Sequence, residues 1–279
     1  MEFGAIIIGD EILSGRRTDR HLSKLIEHLA ARGLSLAYAQ YVGDDPDRIT
    51  ATLARAFASG DVVFSFGGIG ATPDDHTRQC AARALGVEMA LHPQAAALIR
   101  ERMQDVAREQ GVPYDPDRAD NIHRLNMGMF PVGADIIPNP YNKIAGFYCA
   151  SQRRGSDRDE VRERGGVYFL PGFPVMAHPM VEWVLDNHYR HLFNRRAWIE
   201  QSVIVFGAME ATLTPLMQAL EQRYPIKVFS LPSVDHPQWG RHIDLGVKGD
   251  PAEVDAAFSM LLQELRNLGL KLGPEIVRK

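Results

Sequence analysis

Cysteine is scarce in this chain: Cys80 and Cys149 are the only two in 279 residues. They offer neither a disulfide framework nor a metal-ligand spacing, and Cys80, on a helix face expected to be buried, reads as an apolar filler. No apolar run approaches the ~20 residues that would cross a bilayer. The N-terminus lacks a basic segment leading into a signal-like apolar core, so a cytoplasmic location is expected. Charge of one sign is also missing: 31 Lys and Arg face 35 Asp and Glu, for a net charge of −4. That balance excludes a general affinity for nucleic acid or anionic membrane. There is no internal repeat and no low-complexity tract. Neither GxxxxGK[ST], GxGxxG nor a Gly-x-Ser-x-Gly elbow occurs. The ten histidines form no ligand pair with carboxylates at metal spacing, and only His76 falls inside a candidate loop.

What is present is an ordinary globular composition, 45% hydrophobic and 24% charged, in a length that suits one large or two medium domains. Strand and helix patterns alternate through the first two thirds. Ala5–Ile8 is a short apolar run of the kind buried on both faces. Leu22, Leu25, Ile26 and Leu29 recur at helical spacing before Gly33. Leu34–Val42 reads as a second strand. Asp45-Pro46 looks like an N-cap and first-turn proline for a helix carrying Ile49, Leu53, Ala56 and Phe57, and Val62–Phe66 is a third strand. This order predicts a mostly parallel sheet with helices on both faces and ligands gathered at the carboxyl ends of the strands. Further helices are expected over Pro93–Glu109 and Asn121–Met129, a short strand at Ile136-Ile137, and paired strands over Ile144–Ala150 and Val167–Leu170. The charge-dense segment between them, Ser151 to Gly166, reads as an exposed loop. From Trp198 the pattern becomes strand, helix, two strands, helix. We therefore expect a first domain over residues 1–190 and a small α+β domain over 195–279, closing on a helix at Ala252–Leu268.

The densest chemistry lies in Phe66-Gly67-Gly68-Ile69-Gly70-Ala71-Thr72-Pro73-Asp74-Asp75-His76-Thr77. Three glycines permit close backbone approach, and the helix start that follows offers free N–H groups for an anion. Asp74 and Asp75 would repel a bare phosphate but suit a divalent cation bridging them to phosphate oxygens. The loop thus favours a nucleotide or pterin-phosphate ligand; the alternative is a tight turn in which Asp74 or Asp75 is only an N-cap. Gly9-Asp10-Glu11-Ile12-Leu13-Ser14-Gly15 follows the first strand, so its acids and the Ser14 hydroxyl would share the same crevice. Asp10 or Glu11 could equally cap that turn. Asp44 is freer than Asp45, the expected cap, and is the better functional candidate. Leu170-Pro171-Gly172-Phe173-Pro174 makes a rigid loop able to cover a planar ring or a phosphate, or simply a structural turn.

Gly9-Asp10-Glu11-Ile12-Leu13-x-Gly15, Gly43-Asp44, Gly67-Gly68-Ile69-Gly70-x-Thr72-x-Asp74-Asp75-x-Thr77, Pro138-Asn139-Pro140 and Leu170-Pro171-Gly172-x-Pro174 occur in this order. Together they resemble the molybdopterin-binding MoaB/Mog domain, in its CinA-like branch, which is related to the domain fused to FAD synthetases. The resemblance covers about residues 3 to 185. It implies a three-layer α/β/α domain, and the remaining β-α-β-β-α pattern is similar to the small KH-like domain that follows in CinA proteins. The nicotinamide-nucleotide deamidase domain of CinA has no counterpart among these residues, and its activity is not carried over.

By this resemblance Asp44 and Asp75 match two aspartates that assist adenylylation of molybdopterin in Mog-type enzymes. The CinA-like branch is associated with divalent-metal-dependent cleavage of ADP-ribose-type pyrophosphates. The implied site therefore has Asp44 and Asp75 as catalytic groups. Gly9, Ser14, Gly67, Gly68, Gly70, Thr72, Thr77, Pro171 and Gly172 would contact the phosphorylated ligand, and Asp10, Glu11, Asp74 and Asp75 would place Mg, Mn or Co. Three functions follow: a metal-dependent pyrophosphatase, a molybdopterin adenylyltransferase, or a non-catalytic carrier. Self-association is expected by analogy. The chain departs from the family pattern at Tyr141-Asn142-Lys143, where small residues are usual. There Asn142 and Lys143 could narrow the pocket or add a cation for phosphate. Arg16-Arg17-Thr18-Asp19-Arg20 is a second departure.

Overall fold

The computed structural model describes residues 1–151, 165–194 and 199–278, which form two compact units, Met1–Phe193 and Asn194–Lys279. Most of the charged segment read as an exposed loop lies outside the described residues, as does Trp198.

In the first unit β1 (Phe3–Ile8), β2 (Leu36–Val42) and β3 (Val62–Phe66) form the parallel heart of a six-stranded sheet. A separate ribbon pairs β4 (Met89–Leu91) with β5 (Met129–Pro131). β6 (Asp135–Ile137), β7 (Gly146–Ala150) and β8 (Gly166–Leu170) complete the main sheet in the order β2-β1-β3-β8-β7-β6. β8 runs parallel to β3, and the two strands beyond it are antiparallel. The helices are α1 (Asp10–Leu13), α2 (His21–Ala30), α3 (Pro46–Ser59), α4 (Thr77–Leu85), α5 (Pro93–Glu109), α6 (Ala119–Leu125) and α7 (Pro174–His188).

The chain leaves β1 toward β2 on one side, then crosses back over β1 to reach β3. With right-handed crossovers the two connecting helices must fall on opposite faces, and they do. Ile6, Ile8, Val63 and Phe169 pack on one face with Ile49, Leu53 and Phe57 of α3 and Cys80 of α4. Ala5, Ile7, Phe64 and Leu170 pack on the other with Leu25 and Leu29 of α2 and Met180 and Val184 of α7. Burial from both sides explains why β1, β3 and β8 read as unbroken apolar runs rather than alternating ones. The result is a three-layer α/β/α unit. The parallel register also aligns the strand ends: Ile8 lies opposite Val42, and Ile7 opposite Phe66, which in turn faces Leu170. Gly9, Gly43, Gly67 and Pro171 therefore emerge along one edge.

Several elements differ from expectation. The β4–β5 ribbon was not foreseen, because three-residue strands carry almost no period. The helix expected over Asn121–Met129 is α6 followed by a 3-10 turn at Asn126–Gly128, and Met129 already opens β5. Ile144 and Ala145 stay outside β7.

The second unit runs β9 (Ile199–Phe206), α8 (Glu210–Arg223), β10 (Lys227–His236), β11 (Gly240–Gly249), α9 (Pro251–Asn267) and β12 (Lys271–Arg278). Its antiparallel sheet has the order β10-β11-β9-β12. Val203, Leu245 and Val247 pack there against Leu213 and Leu220 of α8 and Val254, Leu261 and Leu265 of α9. The final strand corrects the expectation that the chain closes on a helix. Lys271-Leu272-Gly273-Pro274-Glu275 looks unlike a strand because it occupies a sheet edge, where charge, Gly and Pro are tolerated. No helix among the described residues is long and apolar enough to cross a membrane.

Leu53 is fully buried on α3 against the sheet. Leu53→Ala should lower the unfolding free energy by roughly 2–5 kcal/mol, as expected for an unfilled core cavity, measured by urea denaturation.

Candidate functional site

The aligned strand ends open into a cleft of about 840 Å³. Of the residues singled out from sequence, Gly9, Glu11, Asp44, Gly67, Gly68, Gly70, Thr72, Asp74, Asp75, Pro171 and Gly172 line it. Asp10, Ser14 and Thr77 do not. Ser14 lies on the exposed outer side of its turn, its Oγ accepting from Arg16 Nε at 3.1 Å. Thr77 is fully buried; its Oγ1 donates to the Gly67 carbonyl at 3.2 Å and its N–H to the Gly68 carbonyl at 3.0 Å. It braces the glycine loop from behind rather than meeting a ligand.

The glycines of that loop answer to space and backbone alike. Gly67 has φ 96°, and a Cβ there would stand 2.4 Å from the Ile8 carbonyl oxygen. Gly68 has φ 68°, and a Cβ would fall 2.1 Å from Thr77 Oγ1. Any side chain at either position would therefore meet steric and conformational strain together.

The acids sort into two sets. Asp10 N–H donates to Asp44 Oδ2 at 2.9 Å, and Asp44 N–H donates to Asp10 Oδ1 at 3.2 Å. This reciprocal pair pins the ends of β1 and β2 together and holds two carboxylates side by side. Burial pushes the Asp44 carboxyl up, and the charges of Asp10, Glu11 and Asp74 add to it, against the lowering effect of the Asp10 N–H. On the other wall, Thr72 donates to Asp75 Oδ2 from its N–H at 2.8 Å and from its hydroxyl at 2.5 Å. Neither Asp74 nor Asp75 caps α4, whose N-cap is His76 with no side-chain bond. Asp75 instead folds back to close the loop. By contrast, Asp45 is the cap expected of it, accepting from Arg48 N–H at 2.8 Å.

Among the described residues no group of three or more His, Cys, Asp or Glu converges as a metal cage. Asp10, Glu11, Asp74 and Asp75 are thus not gathered into one set. The Asp10–Asp44 pair nevertheless suits a hard cation of the Mg²⁺ type, which takes one or two carboxylates and completes its shell with water and substrate phosphates.

Sequence reasoning missed His21 and Asp19 in the cleft. His21 lines it while 5% exposed, stacked on Phe66 at 4.5 Å between ring centres, with Nε2 3.2 Å from the Gly172 carbonyl. Burial lowers the basicity of its imidazole and keeps it neutral near pH 7. Asp19 seats this start of α2, accepting from His21 N–H at 2.8 Å and Leu22 N–H at 3.1 Å. An acid just ahead of a helical apolar period was the available signal. On the lip, Phe173 is 56% exposed, with the Arg17 guanidinium carbon 6.0 Å from its ring centre. Asn142, singled out from the sequence as a pocket residue, does line the cleft, accepting from Asn139 Nδ2 at 2.8 Å and Ile144 N–H at 3.0 Å. Lys143 does not line it: its Nζ bonds Glu101 at 2.5 Å and Asp105 at 2.6 Å, so it is spent outside the cleft.

These features define an α/β/α unit with an acid-rich, glycine-lined cleft at the strand ends. Residues 4–191 match the family model described as a probable molybdopterin binding domain. A CinA-like protein of Geobacter metallireducens is 29% identical over 232 residues, covering 81% of this chain and 50% of the relative. This chain thus spans half the length of that relative. A protein of Pyrobaculum calidifontis is 29% identical over 269 residues, 94% of each chain. The crystal structure of CinA from Thermoplasma acidophilum, a protein of unknown function, superposes with TM-score 0.53 at 24% identity, over 67% of this chain and 98% of that one. The chain belongs to the molybdopterin-binding MoaB/Mog-type domain family, in its CinA-like branch.

Because its folded pKa is raised, Asp44 favours the folded state most below its unfolded pKa, and that advantage is lost as pH rises through the folded value. Asp44→Asn should therefore raise the melting temperature at pH 7, and the gain should shrink as pH falls toward 4. Thermal melts of both proteins across that range check the sign.

Proposed function

We propose that the cleft binds a phosphorylated nucleotide or pterin and cleaves a phosphoanhydride of the ADP-ribose type with the help of a divalent cation. The observation that carries this reading is the glycine loop running into α4 opposite the Asp10–Asp44 pair. Backbone N–H groups would receive phosphate oxygens on one wall, and carboxylates would receive a cation on the other. A cation of the Mg²⁺, Mn²⁺ or Co²⁺ type held by Asp44, which Asp10 fixes in place through their reciprocal bonds, would neutralise phosphate charge and polarise the scissile bond. Asp44 and Asp75, both on the cleft lining, are the carboxylates available to orient and deprotonate an attacking water. Asp75 keeps the loop closed through Thr72 and itself lines the cleft. Phe173 on the lip offers a ring for a planar heterocycle.

The family description supports a second reading, in which the ligand is molybdopterin and the anhydride chemistry is its adenylylation. Incubation with ATP and molybdopterin separates the two. Self-association of the intact chain, and a supporting role for the second unit as a KH-like module, are parts of the same proposal. Sedimentation and the activity of a 1–194 fragment would examine them.

The direct test is a hydrolysis screen against ADP-ribose, FAD, NAD and CoA, with and without Mg²⁺, Mn²⁺ and Co²⁺. Metal-dependent release of a nucleoside monophosphate is expected, and silence across the panel from folded protein would rule the pyrophosphatase out. Asp75→Asn keeps an oxygen for Thr72 but removes the charge. It should lower turnover by about 10²–10⁴-fold, the range for a positioned acid–base group, with an unchanged circular dichroism spectrum. Phe173→Ala should weaken ADP-ribose binding by about 2–10-fold, the worth of one aromatic stack, without altering the response to inorganic pyrophosphate.

A further inference from the structure

One strong charge in the first unit belongs to none of these roles. Arg78 lies in the first turn of α4 and is only 4% exposed. Its Nη1 donates to the Ile69 carbonyl of the glycine loop, while its Nε is buried without a partner. It forms no ion pair among the described residues. Burial lowers its basicity, and the Asp75 carboxylate opposes that effect. Three circumstances make this a costly place for a cation. It is desolvated, its charge has no direct counter-ion, and it stands at the helix end whose dipole is already positive. A neutral amide could make the same bond to one carbonyl, so fold stability does not account for the charge.

The cleft in front of the loop accounts for it. Glu11, Asp44, Asp74 and Asp75 all line that cleft, and together they would repel an entering phosphate. Arg17 and Arg20 line the cleft, and Arg17 is drawn toward Glu11 at 3.5 Å; Arg78 lies behind the lining. Arg78 is the cation held directly against the loop backbone. Its bond turns the Ile69 carbonyl, whose negative end would oppose a phosphate, toward the buried guanidinium. Its field also passes through a low-dielectric loop, where it is poorly screened.

We propose that Arg78 is a positioning residue for the phosphate group of the ligand, acting through the Ile69 carbonyl and through a buried positive charge that offsets the acids of the cleft. This rests on the reading of the cleft as a phosphoanhydride site.

The test is calorimetric titration of the full chain with ADP-ribose and Mg²⁺, alongside thermal melts, for the parent, Arg78→Gln and Arg78→Lys. Arg78→Gln keeps a donor for Ile69 and loses the charge; Arg78→Lys keeps the charge. Affinity should fall by about tenfold or more in Arg78→Gln, the scale of one charge-assisted contact, and stay within about threefold of the parent in Arg78→Lys. The melting temperature of Arg78→Gln should equal or exceed the parent's. Equal binding by Arg78→Gln and parent would overturn the inference and leave the reading of the cleft standing. An Arg78→Gln protein that unfolds or melts well below the parent would also overturn it, since the arginine would then be a structural part. A parent that binds no ADP-ribose would remove the reading of the cleft, and this inference with it.

Discussion

β1 is hydrogen-bonded on both edges and apolar on both faces, and the arrangement of the first unit depends on it. A strand flanked by β2 and β3 and covered by two helix layers has no polar outlet except at its ends. Its chain leaves toward one neighbour while the return crossover reaches the other. The backbone therefore parts at the carboxyl end and leaves a crevice between diverging loops. Residues there need no core complementarity, so glycines and carboxylates can occupy positions that a packed interior would refuse. The cleft, from Asp44 at the end of β2 to the glycine loop after β3, follows from that one crossing.

The cleft is electrostatically unfinished as it stands. Asp44 is held above its usual carboxylate range by burial and by three neighbouring acids, and Arg78 is buried against the glycine loop without a salt bridge among the described residues. A surface selected for stability alone would have paired these charges. Local polar groups nevertheless satisfy geometry rather than charge: Thr72 ties Asp75, Thr77 ties Gly67, and His21 holds Gly172. The loops are thereby kept in place while their charges remain available. Such preorganisation suits a ligand that brings both phosphate oxygens and a cation.

How far this was legible follows from the range of the interactions involved. Unbroken apolar runs and helical periods are local, so β1, β3, α3, α5 and α8 could be read from the chain, as could Asp45 as a cap. Short or edge elements were not. β4 and β5 have three residues each, and β12 carries Gly273, Pro274 and charged neighbours that only an edge position permits. Among the site residues, the glycine loop and Asp44 were readable because turn chemistry is local. The role of Thr77 was misjudged because nothing in a hydroxyl's spacing says whether it faces the ligand or the core. His21 and Phe173, and the outward turn of Lys143 to Glu101 and Asp105, depend on contacts between residues far apart in sequence.

The sequence alone determined the alternation of strands and helices, the glycine-rich turns at the strand ends, and the acids beside them, because each depends on residues within a few positions of one another. The tertiary structure decided which acids share a wall, that Asp75 closes its own loop instead of capping α4, and that Arg78 is buried against the Ile69 carbonyl. Those outcomes depend on strand register and on the face each crossover helix must take, and neither is written in any local stretch of the chain.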